Sequence, residues 1–394
     1  MPQQIMPRRV FITVAEVSGD QHAAELIHSL KELDPDLVIE GIGGPLMAAA
    51  GAHIHHETTR NAAMSVHAIG RVVEVLKLLR WTREHFAQKR PDLHVCVDSP
   101  AMNLHFAKLA HRIGVPVMYY IAPQLWAWRE GRMKKLQKWV DRVACILPFE
   151  EEYFKRHGVR ATFVGHPLFD ELPRDRDRRD PPERFPHRPP VIGLLAGSRA
   201  SEAKANFPPM LDVAERVLAE FPQATFCSPT TEATHPIVCA EVARQRALPI
   251  TIERDAFDAM VPRCDLCVTV SGTATLHVAG WGVPMIVVYR VNRWLWQLLG
   301  RWIVKTRTYS LVNLLADAHA HIVPEFIPWH GSSGPVALRV LEMLREPRKL
   351  EQQREALRKM VRTLDRPGAS LNAAKLALEM MVGEQTTVAS AISP

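Results

Sequence analysis

Cysteine is scarce in this chain: six residues in 394, at positions 96, 145, 227, 239, 264 and 267. So few, spread so widely, describe no disulfide scaffold, and reduced, buried thiols in a cytoplasmic protein are the simpler expectation. Long apolar runs are missing as well. No stretch approaches the roughly 20 residues that a spanning helix needs, which argues against an integral membrane protein. Arg8-Arg9 leads into VFITVAEV, but Glu16 and Asp20 interrupt the run and no small-residue cleavage site follows, so the start does not read as a signal peptide. A Walker-type GxxxxGK[ST] is absent, which disfavours ATP-driven chemistry. Metal signatures are thin too. Cys264 and Cys267 form CxxC without a second pair at zinc spacing, and their apolar context points to core packing. His53, His55, His56, His319 and His321 lack a helical His–carboxylate motif and read by default as solvated loop histidines. No long internal repeat is visible.

What is present is globular. The chain is 47% hydrophobic and 23% charged, too apolar for disorder, and its 20 Gly with 30 Pro do not make a collagen-like repeat. At about 100–200 residues per domain the length suggests two domains. Lys and Arg outnumber Asp and Glu by 49 to 42, a net charge of +7, so phosphate, nucleic acid or an acidic membrane surface can be a partner.

The first half alternates compact apolar runs with amphipathic ones. RVFITVA (9–15) reads as a strand. SGD follows, then Ala23, Ala24, Leu26, Ile27 and Leu30 at helical spacing, with Ser18 or Asp20 placed to cap the helix. LVIEGIGG (37–44), DLHVCVD (92–98), VPVMYYIAP (115–123) and RVACILPF (142–149) are further strand candidates. Near-continuous apolar strands alternating with helices predict a parallel sheet covered on both faces. PRDRDRRDPPERFPHRPP (173–190) breaks the pattern with six Pro and six Arg; because acids interleave with the arginines, it reads as a solvated linker rather than a nucleic-acid arm. Alternation resumes at VIGLLAGS and runs through ATFCSP, LPITIE, LCVTVSGT and VPMIVVYR. The pattern predicts two doubly wound α/β domains, with ligands beyond the carboxyl ends of the strands, facing the interdomain cleft. After Pro328 the chain turns helical, and TTVASAISP reads as a frayed tail.

Three loops after predicted strands combine small residues with polar ones: AEVSGD (15–20), AGSRASE (196–202) and VSGTATLH (270–277). Such loops admit a phosphate to backbone N–H groups, and the following helix adds partial positive charge. Strand-to-helix turns are also Gly- and Ser-rich for backbone reasons alone. Arg199 strengthens the second loop, since a guanidinium binds diphosphate in a fork and stays charged. Asp98 closes the strand DLHVCVD and is placed either for proton abstraction or as a helix cap, with Pro100 restricting Ser99 to an extended conformation and Asn103 able to serve either role. In RWLWQLLGRWIVK (293–305), Trp294, Leu295, Leu298, Leu299, Trp302 and Ile303 can share one helical face, with Trp296 in the same segment and Arg293, Arg301 and Lys305 at its rim. That composition suits an interfacial helix on anionic lipid as well as burial against a neighbouring domain. VVEVLKLLRW (72–81), with Arg71, Lys77 and Arg80, has the same character.

Residues 119–170 contain APQLWAWREGR…LPFE…FVGHPL, and SGD (18–20), GIGGPLMAAAG (41–51), DSPAMN (98–103), AGSRASE (196–202), SGTATL (271–276), PMIVVYR (284–290) and SLVNLLA (310–316) follow the same order. Over about residues 9 to 327 the chain resembles the lipid-A-disaccharide synthase family. The resemblance implies a GT-B fold: two Rossmann-like domains, 1–172 for the acceptor and 191–345 for the UDP-sugar, joined by the 173–190 linker. Helices over 346–394 would then return to the first domain or exchange between the subunits of a homodimer. It implies an inverting transfer from UDP-2,3-diacylglucosamine to O6 of 2,3-diacylglucosamine 1-phosphate, releasing UDP, with no metal or other cofactor. By the same resemblance Asp98 is the base, Glu16, Ser18, Asp20 and Asn103 line the acceptor site, and Gly197, Ser198, Arg199, Glu202, Ser271, Gly272, Thr273, His277 and Asn313 serve the donor. Trp294, Trp296, Arg301, Trp302 and Lys305 would meet the anionic inner-membrane surface of a cytoplasmic, peripherally bound protein; nucleic acid is not expected. Departures stand at Ala15 and Ala196, where the family has Gly and Pro, at Val312 for its Pro, and at His277 for its Glu. A neutral imidazole accepts one hydrogen bond where a carboxylate accepts from both ribose hydroxyls. A GT-B transferase or epimerase acting on a non-acylated UDP-sugar, and a lipid-binding protein that has lost donor binding, are the alternatives.

Overall fold

The computed structural model describes residues 7–59, 68–126, 130–173, 183–244, 248–290, 308–316, 321–364 and 366–391. The chain forms two compact units, Met1–Glu171 with Leu364–Pro394, and Leu172–Thr363.

The first unit is built on seven parallel strands: β1 (Arg9–Thr13), β2 (Val38–Gly43), β3 (His53–Glu57), β4 (Leu93–Val97), β5 (Val117–Tyr120), β6 (Arg142–Cys145) and β7 (Ala161–Phe163). They lie in the order β3-β2-β1-β4-β5-β6-β7. Successive strand side chains point to opposite faces, and both faces of the central strands are covered, so these strands are apolar throughout rather than alternating. Ile12, Val95, Val97 and Tyr120 pack against Leu26, Ile27 and Leu30 of the helix Val17–Leu33. Their neighbours Phe11, Cys96 and Tyr119 face the other way, onto Phe106, Ala107 and Ala110 of the helix Pro100–Arg112. The helix Ala369–Ala391 completes the first of these layers with Ala373, Ala374 and Ala377. It is tied down by Asp170, which accepts from the backbone N–H of Gly368 at 2.7 Å, and by Asn372, whose amide donates to the Val164 carbonyl at 2.9 Å. This helix runs well into the segment expected to fray.

The second unit repeats the pattern with β8 (Val191–Leu195), β9 (Thr225–Thr230), β10 (Ile250–Arg254), β11 (Leu266–Val270), β12 (Met285–Val288) and β13 (Glu325–Phe326). The order is β10-β9-β8-β11-β12-β13, again all parallel. Ile192, Leu194 and Val268 pack on Phe207, Met210, Leu211 and Ala214 of the helix Ala200–Glu220. Cys264 and Cys267 are buried free thiols, and Gly193 makes their room: a Cβ there would stand 2.7 Å from the Cys267 sulfur.

Of the expected linker, residues 174–182 lie outside the described residues. Its second half is docked rather than free. The Asp265 carboxylate, its side chain 2% exposed, accepts from the Phe185 N–H at 3.2 Å, the Val191 N–H at 2.9 Å and both Arg188 terminal nitrogens at 2.8 and 3.2 Å. The periodicity did not mark β3, β7 and β13. The first reads HIHHE, too polar to stand out, and the others are only three and two residues long. Among the described residues no helix is long and apolar enough to cross a membrane. The segment 293–305, with Trp294, Trp296, Arg301, Trp302 and Lys305, lies outside them except as sequence.

Breaking the Asp265 junction leaves Arg188 and two backbone donors without their shared acceptor. Asp265→Ala is expected to destabilise the protein by about 3–5 kcal/mol, measured as a lowered urea midpoint with an unchanged slope.

Candidate active site

In a doubly wound sheet, strand order reverses beside the first strand, and the two loops leaving that point diverge to opposite faces. In the first unit the reversal lies between β1 and β4, which pair directly. The loop after β1 is 14–16 and the loop after β4 is Asp98-Ser99, so two segments flagged in the sequence stand side by side. Glu16 and Ser18 are exposed there, at the start of the helix Val17–Leu33. Asp20 is not. It is 1% exposed, and its carboxylate accepts from the backbone N–H groups of Gly44, Leu46 and Met47 at 3.0–3.1 Å. Asp20 therefore holds the start of the next helix, Pro45–Ala49; Glu16 occupies the N-cap of its own helix without a side-chain bond. Neither proposed cap of the first helix forms, and an Asp20 spent on backbone N–H groups cannot line an acceptor site directly.

Asp98 and Ser99 both adopt left-handed backbone, with φ of 49° and 46°. Ser99 is thus not extended, contrary to the expectation from Pro100. Such conformations cost of order 1–3 kcal/mol each and persist only where the surroundings fix them. Here they do. The Asp98 carbonyl accepts from the Tyr119 hydroxyl at 2.7 Å and from the Asn103 amide at 2.8 Å. The same amide group reaches the carbonyls of Val97 at 2.8 Å and Thr13 at 3.2 Å. The Thr13 hydroxyl donates to the Asn103 side-chain oxygen at 2.8 Å and meets His94 Nε2 at 3.0 Å. Its one hydrogen is spent on Asn103, so His94 is the Nε2–H tautomer; burial keeps that ring neutral by pushing its pKa down to about 3. Asn103 is fully buried. It is a positioning residue for the Asp98 turn and has no amide atom left for an acceptor sugar. Pointing Asp98 is what this network does.

The second unit reverses between β8 and β11, paired from Leu266–Ile192 to Thr269–Leu195. Gly197 leaves β8 with φ of 100°, and a Cβ there would stand 2.5 Å from the Glu202 carboxylate and 3.1 Å from Val270. Only glycine lets the two loops approach so closely. Ser198 and Arg199 are exposed beside it, and the Arg199 guanidinium bonds Glu202 at 3.0 Å across the first turn of the helix Ala200–Glu220. Across the switch, Ser271 donates to the Tyr309 carbonyl at 2.9 Å, while Gly272 and Thr273 open the helix Thr273–Gly280 to solvent. The two loops thus present two helix N-termini and a guanidinium on one edge, the arrangement that holds an anion.

His277, one turn along, stacks on Phe257 at 4.2 Å and meets Asp258 at 2.7 Å through Nε2; the same Asp258 oxygen accepts from the Trp281 indole at 2.7 Å. Burial lowers the His277 pKa more than Asp258 restores it. Asn313 is not open to a donor. Its amide donates to the Val323 carbonyl at 2.8 Å and to Glu325 at 2.7 Å, and its oxygen accepts from the Val323 N–H at 2.9 Å. It staples its short helix to the strand β13, so its contribution is indirect.

Sequence reasoning missed Asn206, a buried asparagine inside a helix. It accepts from the Arg290 N–H at 2.7 Å and so ties the loop after β12 to the Arg199 helix. It also missed Glu150, 1% exposed, which accepts from the Trp126 indole at 3.0 Å and the Leu147 N–H at 3.1 Å. Burial raises its pKa to about 7. A lone Asn on an apolar helix face, and a Glu within LPFE, were the available signals.

Two Rossmann-like sheets, each with its switch-point loops, define a GT-B-type fold. Solved structures share it: UDP-GlcNAc 2-epimerase from Neisseria meningitidis, bound to UDP-GlcNAc, with a TM-score of 0.58 at 10% identity over 96% of this chain and 100% of that one, and MurG from Acinetobacter baumannii with 0.52 at 15% over 95% and 100%. At such identities the likeness speaks for the fold alone. The sequence goes further. Residues 10–380 match the family model described as lipid-A-disaccharide synthetase. The lipid-A-disaccharide synthases of Nitrosococcus oceani and Geobacter sulfurreducens are 35% and 33% identical over 384 and 376 residues, covering 97% and 95% of this chain and 98% and 97% of theirs. The chain belongs to the lipid-A-disaccharide synthetase family, and is a glycosyltransferase.

Two outcomes follow from the geometry. Asn103→Ala removes the donor shared by three buried carbonyls; it should destabilise by about 2–3 kcal/mol and lower kcat more than it raises KM. Glu150 keeps its proton to about pH 7 in the folded state and to 4.5 in its unperturbed state, so its contribution is full below pH 4.5 and lost as pH rises towards 7. Thermal melts of Glu150→Gln should lack that component of the decline between pH 5 and 7.5.

Proposed function

We propose that the protein condenses UDP-2,3-diacylglucosamine with 2,3-diacylglucosamine 1-phosphate, giving the β-1,6-linked disaccharide 1-phosphate and UDP. The acceptor O6 attacks the anomeric carbon of the donor as the bond from that carbon to the diphosphate oxygen breaks. The O6 proton passes to the Asp98 carboxylate, the electron pair leaves on UDP, and the α-linked donor becomes a β-glycoside. The observation that carries this reading is the Asp98 turn: a carboxylate at a switch point, on strained backbone fixed by Asn103 and Tyr119. Glu16 and Ser18 are the exposed polar groups next to it and serve the acceptor.

On the donor side, Gly197, Ser198 and Arg199 with Ser271, Gly272 and Thr273 take the diphosphate, where two helix N-termini and a guanidinium stabilise the charge that grows as UDP departs. Glu202 orients Arg199. At the position where the family has Glu, His277 is joined by Asp258, which returns a carboxylate to the ribose side. Docking on the anionic inner-membrane surface falls to basic, apolar segments. Val72, Val73 and Leu76 are 60%, 46% and 59% exposed on the helix Ala68–Gln88, next to the exposed Lys77 and Arg80, and 293–305 is the second such segment. A non-acylated UDP-sugar substrate has no support beyond the shared fold of the epimerases, and the family membership weighs against a protein without transferase activity.

The test is disaccharide formation and UDP release from the two acylated substrates. Asp98→Ala should slow turnover by about 10²–10⁴-fold while UDP still binds. A variant as fast as wild type would remove Asp98 from its role.

A further inference from the structure

Outside the transferase site, one cluster of side chains in the first unit has the composition and spacing of a metal centre. Glu40 on β2, His55 on β3 and His85 on the helix Ala68–Gln88 bring their ligand atoms within 4.8 Å of one another. The residues are 45 positions apart at their ends, and HIHHE offered no motif, so the sequence pointed to solvated loop histidines. In the fold the three histidines of that run are on the strand β3, His55 and His56 half-buried and His53 exposed.

Three observations single the cluster out. First, the side chains of Glu40 and His85 are each 10% exposed and that of His55 17%, so a charge and two ring nitrogens have been taken out of water. Second, neither ring closes a hydrogen bond of good geometry with the carboxylate: the buried His55 Nε2 and His85 Nε2 stop 3.4 and 3.5 Å from Glu40 Oε1 and Oε2, within ion-pair reach only. A direct N–H···O⁻ contact would settle at about 2.7–2.9 Å. Each distance, taken by itself, is near the edge of about 3.3 Å between neighbouring ligands of a tetrahedral ion, and the three ligand atoms all lie within 4.8 Å, so a small turn of the carboxylate would bring one oxygen to both nitrogens. Third, the backbone departs from regularity to aim one ligand. In the β2–β3 ladder Gly41 pairs with Ile54 and Ile42 with His56, so His55 is the extra residue of a bulge. Bulges are rare between parallel strands and re-aim side chains beside functional sites.

The surroundings fit as well. Trp81 stacks on the His85 ring at 4.8 Å and 14°, and His53 lies edge-on to His55 at 4.5 Å, holding both imidazoles in place. Arg9 approaches Glu40 Oε2 at 3.4 Å, the oxygen that also faces His85, and would orient the carboxylate. We propose that Glu40, His55 and His85 form a binding site for a divalent transition-metal ion of the zinc type. Two imidazoles and a carboxylate select such ions over Mg²⁺ and Ca²⁺, which take oxygen ligands. With a water as fourth ligand the ion would bridge the edge strand β3, its neighbour β2 and the helix that carries Val72, Val73 and Leu76. Its role is structural and lies apart from sugar transfer.

Co²⁺ gives the direct readout in the full-length protein. Wild type should bind one Co²⁺ with the intense visible d–d bands of tetrahedral coordination, displaced stoichiometrically by Zn²⁺ and untouched by excess Mg²⁺. Glu40→Gln and His85→Gln should each weaken Zn²⁺ binding in calorimetry by about tenfold or more, and Zn²⁺ should raise the melting temperature of wild type but not of either variant. A wild type that shows only the faint bands of octahedral Co²⁺, or variants that bind Zn²⁺ as tightly as wild type, would overturn the proposal. The wild-type spectrum decides it even if a variant fails to fold.

Discussion

Reversal of strand order is the constraint from which the rest of this molecule follows. In each unit the chain winds outward from a first strand, returns, and continues on that strand's other side. The two loops that leave the reversal turn away from each other, and no crossover helix covers the gap between them. Polar groups placed there stay out of the core. That is why Asp98 stands near Glu16 and Ser18 in one sheet, and Arg199 near Ser271 and Thr273 in the other, although each set is separated by some 70–80 residues of chain. Family members can alter many surface residues while this placement stays, because it is set by backbone hydrogen bonds and by apolar layers on both faces.

The reversal fixes where the loops are, and a lower tier of buried polar groups fixes how they point. Thr13, His94, Asn103 and Tyr119 form one continuous network beneath Asp98, all out of water, in which only His94 Nδ1 is left without a hydrogen bond. Asn206 and Glu202 do the same below Arg199, as Asn313 and Glu325 do beside β13. Burying amides and hydroxyls is tolerable only where nearly all their partners are present. The networks therefore give these loops a single geometry.

The strands with apolar cores, from RVFIT to MIVV, were plain in the sequence because parallel strands buried on both faces leave unbroken hydrophobic runs. The loops that follow them were legible for the same reason. What could not be read was the division of labour among the polar residues inside those motifs. Asp20, Asn103 and Asn313 look like ligand-facing groups when only neighbours in sequence are known, yet their partners, Gly44, Thr13 and Val323, come from other elements. The turn at Ser99 went the other way from the local preference before proline, because tertiary hydrogen bonds outweigh a steric bias of that size. The strand HIHHE was invisible to periodicity, since its side chains answer to Glu40 and Trp81 and not to a uniform apolar layer.

The last helix carries an implication for how the protein comes into being. Its alanines at 373, 374 and 377 are part of the same core as Ile12 and Val97, yet they follow the whole second unit in the chain. The second unit, by contrast, is one uninterrupted stretch from Leu172 to Thr363. During synthesis that inner unit can close as soon as it clears the ribosome, while the outer one waits with an apolar layer uncovered. Nearly two hundred residues must be translated between the first half of that core and its final piece. The amino-terminal unit thus closes only after the second unit has been made, and a chain released before Ala373 would keep that apolar layer uncovered.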